Sequence, residues 1–240
     1  MVIAQHSDVV LGYDDPANPT GFVIEQDCET DEGHQLFESE FEELGGDFTS
    51  DEPGFITEPG ELQLGAGDKL YLRALDARNH SSYGVGFVNF FNPNTGNLDV
   101  TGGDVLISDD IAGLSNPERN SSTDLTLSGT SSSGSALQFI DMADSNGFLH
   151  QHVFLDLLND ASAPNGAYGI LFQLESDTNA DGTTDIFSDE FWIVWNHGLD
   201  EETFESSLST FGKFSAVPEP GALSFMLMVG CAGILRRRRA

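Results

Sequence analysis

The feature that most constrains the fold is a succession of short runs of mixed apolar and polar residues, each closed within a few positions by Gly, Asn, Asp or Pro. His6–Tyr13, Gly21–Glu25, Glu61–Leu64, Lys69–Leu75, Gly84–Phe91, Asn97–Thr101 and Asp104–Ser108 read as strands, followed by Thr123–Ser128, Ala136–Asp141, Leu149–Leu158, Ala167–Glu175 and Glu190–Asn196. In Lys69–Leu75, Leu70, Leu72 and Ala74 share one face, while Tyr71, Arg73 and Leu75 share the other. Turn chemistry fills the gaps, as at Asp14-Asp15-Pro16, Glu58-Pro59-Gly60 and Asn92–Gly96. So many short strands predict an all-β chain built as a single antiparallel β-sandwich or jelly-roll domain. Two segments depart from the pattern. The small polar run Ser128–Ser135 reads as a surface loop. Leu199–Gly212 reads as an amphipathic helix, with Asp200 as cap, Phe204, Leu208 and Phe211 on one face and Gly212 as its end.

Charge narrows the function classes. The chain has 240 residues with 40 acids and nine basic residues. Four of the basic residues are Arg236 to Arg239, so the body carries only Lys69, Arg73, Arg78, Arg119 and Lys213. Such a surface repels nucleic acid and anionic lipid and attracts cations. The 18 phenylalanines supply the apolar area that a disordered acidic chain lacks. Cys28 and Cys231 offer no intrachain disulfide, because Cys231 lies in an apolar tail. No nucleophile elbow, phosphate loop or dinucleotide fingerprint is present. The acidic stretch around His34, with Glu38, Glu40, Glu42 and Glu43, reads as a solvated face in a short helix or strand.

The last stretch reads VPEPGALSFMLMVGCAGILRRRRA: Pro218, Glu219 and Pro220, then an uncharged run from Gly221 to Leu235, then Arg236, Arg237, Arg238 and Arg239. As a helix that run is about 22 Å long against a hydrocarbon core of about 30 Å, short for a permanent anchor. The arginines belong on the cytoplasmic side and the body outside it. This order resembles the PEP-CTERM sorting signal of Gram-negative bacteria. The resemblance implies an exosortase-type membrane protease as partner, a transient inner-membrane intermediate and a final place at the cell surface or in an exopolysaccharide matrix. The body stretches DEPGF, LHQHVFLDL, AYGILFQL and DEFWIVWNHGLD look like those of uncharacterised exported proteins with the same tail, which implies no activity. The expected organisation is residues 1–5 as the remnant of a signal-peptide region whose start codon lies upstream, 6–214 as the β domain and 215–240 as the sorting signal.

Two motifs carry metal chemistry. Asp177, Asn179, Asp181, Thr183 and Asp185, with Gly182 at the turn, have the alternating oxygen donors of an EF-hand-like calcium loop. Position 12 of the motif is Ser188, so Asp189 or Glu190 would have to supply the last carboxylate; an ordinary hairpin loop has the same composition. His150 and His152 share a strand face with Asp156 further along it, a pattern similar to the cupin His-x-His. The later cupin histidine is missing, and His6, His34, His80 or His197 would serve only if the fold brought one near. These features support three readings: a non-enzymatic exported surface or matrix protein, a calcium-dependent carbohydrate-binding module using Tyr83, Trp192 or Trp195 as exposed aromatics, and a metal-dependent jelly-roll enzyme.

Overall fold

The structure, a computed structural model, describes residues 8–25, 35–44, 47–58, 60, 62–80, 84–100, 102–108, 125–134, 137–158, 163–178 and 184–215. Among these the chain is mostly β-sheet with one α-helix, and its strands fall into three sheets. Numbered in chain order, the first sheet contains β1 (Val9–Tyr13), β2 (Phe22–Glu25), β6 (Phe55–Ile56) and β14 (His150–Gln151), in the order β14-β6-β1-β2. The second contains β4 (Glu42–Leu44), β5 (Asp47–Ser50), β10 (Asp104–Ser108), β11 (Leu125–Leu127), β12 (Ser132–Ser133) and β15 (Phe154–Leu158), in the order β12-β11-β10-β15-β5-β4. The third is built on β3 (Leu36–Glu40), β7 (Lys69–Leu75), β13 (Leu137–Met142), β16 (Gly166–Asp177) and β18 (Phe191–His197), in the order β13-β7-β16-β18-β3. There β8 (Asn89–Asn92) and β17 (Ile186–Phe187) pair with β16, and β9 (Asn97–Asp99) pairs with β8.

The expected antiparallel arrangement holds for most pairs and fails at two. β1 runs parallel to β6 and β3 parallel to β18. Parallel partners need a long crossover, and short-range patterning carries no sign of one. Lys69–Leu75 and Asp104–Ser108 fall where the alternation put them, and Leu70, Leu72 and Ala74 are buried together. Leu149–Leu158 is not one strand: it breaks between Gln151 and Phe154, and its halves join different sheets. Ser128–Ser135 is no plain loop either. Ser128 N–H donates to the Ser131 carbonyl at 2.9 Å, closing a hairpin in which Ser132–Ser133 pairs with β11.

One apolar cluster gathers side chains from all three sheets, including Leu11, Tyr13 and Phe55 from the first, Ile107, Leu127 and Leu157 from the second, and Tyr168, Phe172 and Trp195 from the third. A second cluster lies under helix α1 (Glu201–Ser215), where Phe204 and Phe211 pack with Leu36, Trp192 and Val194. Asp200 caps this helix by accepting from Thr203 N–H at 2.9 Å. The helix continues past Gly212 to Ser215, because a glycine that is not in the left-handed region does not oblige a helix to stop. Gly169 on β16 makes room for it: a Cβ there would lie 2.2 Å from Phe211 Cε1. Among the described residues no helix is long and apolar enough to cross a membrane, and the apolar tail lies outside them.

Candidate metal centre

Asp8, His150 and His152 offer one ligand atom each, all within 4.8 Å of one another. The first sheet assembles them. β6 lies between β1 and β14, with Val9 opposite Phe55 and His150 opposite Ile56. Asp8 therefore enters the sheet beside the strand that pairs with His150, and His152 follows just past the end of β14. His150 Nε2 lies 3.0 Å from Asp8 Oδ2 and 3.2 Å from His152 Nε2. The site is half open to water, with the side chains of His150, His152 and Asp8 exposed by 42%, 29% and 24%.

The loop before β6 holds the group in place. Gly54 N–H donates to Asp8 Oδ1 at 3.1 Å, and Val9 N–H donates to the Gly54 carbonyl at 2.8 Å. The Glu52 carbonyl accepts from Ser39 Oγ at 2.8 Å, Ser50 Oγ at 3.1 Å and the buried Trp195 indole at 2.9 Å. Three donors on one oxygen pin the loop to the core. His152 Nδ1 lies 2.7 Å from the Asp51 carbonyl. A carbonyl only accepts, so Nδ1 carries the proton and the lone pair of neutral His152 sits on Nε2, facing His150 and Asp8. Burial holds the nearby Glu52 carboxyl above its ordinary range. Glu52 Oε2 is buried without a hydrogen-bond partner.

Asp156 does not belong to this group. It lies on β15 opposite Thr49 and Leu106, in the second sheet, because the chain breaks its strand after Gln151. Burial, then the charge of Asp47, holds its carboxyl above the usual range. His80 contacts Glu190 at 2.5 Å instead, and His197 is buried edge-on against Phe48 and Phe41. His6 and His34 lie outside the described residues. The motif reading missed Asp8, since a ligand supplied through an intervening strand leaves no spacing to count; the only trace is an aspartate directly before the Val9-Val10 run.

Of the calcium-loop candidates, Asn179, Asp181 and Thr183 lie outside the described residues, as do Pro218, Glu219, Pro220 and Arg236 to Arg239. The segment joins β16 to β17 in a hairpin, with Ser176 opposite Ile186. Asp185 Oδ1 accepts from Thr178 N–H at 3.1 Å and Oδ2 from Thr178 Oγ1 at 2.6 Å, so both of its oxygens serve the turn. Asp177 is buried, and Asp189 is exposed beyond β17. Trp192 and Trp195, expected as exposed aromatics, are 1% and 0% exposed. Their strand β18 is buried on both faces, one by the core and one by α1, so neither indole offers a sugar-stacking face. Tyr83 lies outside the described residues. No protein-family model matches the chain, and neither the curated proteins nor the solved structures contain a significant match to it.

Proposed function

We propose that the chain is an exported, non-enzymatic surface or extracellular-matrix protein, sorted by an exosortase-type membrane protease through its last stretch and held in contact with exopolysaccharide. The carrying observation is the fixed order of Pro218-Glu219-Pro220, an uncharged run too short for a lasting anchor, and four arginines, appended to a body with almost no other basic residues. The acidic, phenylalanine-rich body suits life outside the cell, soluble and repelled from anionic lipid. Helix α1, docked by Phe204 and Phe211, precedes the signal in the sequence. At the finer level we read the fold as a β-sandwich, supported by the apolar cluster common to the three sheets.

The test is expression of the full chain, behind an export signal, in a host with and without an exosortase, followed by mass spectrometry of the exported protein. The expected product in the exosortase host lacks the apolar run and the arginines. Replacing Arg236 to Arg239 with glutamine should leave the precursor unprocessed. An exported protein that keeps its arginine cluster in the exosortase host would overturn the reading.

A further inference from the structure

We propose that Asp8 Oδ2, His150 Nε2 and His152 Nε2 bind one divalent first-row transition ion of the zinc type, with a fourth position open to water. Two imidazoles and one carboxylate form a donor set of borderline softness, unlike the all-oxygen shells of calcium and magnesium. Zinc–nitrogen and zinc–oxygen bonds of about 2.0–2.1 Å at a tetrahedral angle place neighbouring donors roughly 3.3 Å apart. The two separations here, 3.2 Å between the imidazole nitrogens and 3.0 Å from His150 to Asp8, lie close to that value.

The surroundings do what an outer shell of a metal site does. The Asp51 carbonyl orients His152 through its Nδ1–H, and Gly54 N–H fixes the Asp8 carboxylate through Oδ1, leaving Oδ2 beside His150. Without an ion, His150 Nε2–H bridges the Asp8 carboxylate and the His152 lone pair. Binding moves the His150 proton to Nδ1 or to water, freeing Nε2 as a ligand. The ion then ties the residue that opens β1 to the edge strand β14 across β6, a link between segments far apart in sequence in a protein whose body has a lone cysteine, Cys28. Three protein ligands and an exposed fourth position also leave room for an outside donor from a neighbouring molecule.

The experiment is calorimetric titration of the full, tag-free chain with zinc chloride, alone and in millimolar calcium. The expected result is one saturable site per chain that calcium does not displace, with a rise in Tm on zinc addition. His150→Ala and His152→Ala should each weaken binding by roughly a hundredfold, while His80→Ala, whose imidazole pairs with Glu190, leaves it unchanged. In the unmodified chain, zinc should protect His150 and His152 from diethyl pyrocarbonate, read by peptide mass spectrometry, which needs no variant to fold. No saturable uptake, competition by calcium at the same site, or unchanged modification of both histidines would overturn the proposal. None of these outcomes bears on tail processing, which is read from the mass of the exported product.

Discussion

Gly54 shows how much of the site rests on one missing side chain. A Cβ there would stand 2.7 Å from Asp8 Oδ1, 2.8 Å from His152 Cε1 and 2.9 Å from His152 Nε2. All three atoms sit at the ends of side chains that can swing away, so Gly54→Ala should leave the fold intact and spoil the donor geometry. Zinc affinity is expected to fall roughly tenfold to a hundredfold with an unchanged far-UV spectrum; calorimetry beside circular dichroism checks both. Asp68 gives a residue-level pH dependence. Its Oδ2 accepts from the Tyr13 hydroxyl at 2.7 Å and from Gly65 N–H at 3.0 Å, and burial, joined by the charges of Asp185 and Asp177, outweighs those bonds and raises its pKa. The folded state holds this proton more tightly than the unfolded chain does, so Asp68 lowers stability as pH rises through that window and remains a cost at neutral pH. Asp68→Asn keeps an acceptor for both donors and carries no charge. Its Tm should exceed that of the parent at pH 7 by about 2 °C and match it near pH 3 in a pH series of thermal scans.

At the scale of elements, the β16–β7 pair and the α1 contact carry the clearest consequences. Arg73 on β7 faces Glu175 on β16, with its NH2 3.1 Å from Oε2 and its Nε bonded to Oε1; Thr184 Oγ1 adds a bond to Oε2 at 2.8 Å. Glu175 is 1% exposed, so removing its cation strands a buried charge. Arg73→Met should cost roughly 3 kcal/mol in urea unfolding, and the double change with Glu175→Gln should recover most of it. Phe211 is fully buried and packs 5.4 Å from the Trp192 ring. Phe211→Ala should cost about 3–5 kcal/mol and red-shift tryptophan emission as water reaches Trp192. Sequence pattern was a good guide wherever partners are local. Lys69–Leu75 announced itself by alternation, and the helix by Asp200 and its phenylalanines. The strands β3, β4 and β5 did not, because their acids read as a solvated face; yet Phe37 and Ser39 are buried against β18, a strand far along the chain. The Asp8, His150 and His152 group was half legible for the same reason: His150 and His152 lie two positions apart, and Asp8 is brought beside them through β6.

Charge governs the behaviour of the whole molecule. A net charge of −31 includes four arginines confined to the tail, so the body itself is more acidic still. Self-repulsion of that size weakens the compact state, and salt screens it with a Debye length of about 10 Å at 0.1 M. Tm should therefore climb as sodium chloride increases from about 10 mM to about 500 mM, with most of the rise at the low end; a flat series in differential scanning calorimetry would show the acids to be balanced by local hydrogen bonds. The two parallel pairings bear on timing. β3 pairs with β18, so the edge of the third sheet closes only when the carboxyl-terminal third of the chain is present, whereas β1 meets β2 and β6 early and the first sheet waits only for β14. Such long-range pairing is slow to form. A chain that folds from its amino terminus therefore completes its third sheet late, and α1, which packs on β18 through Trp192 and Val194, docks last.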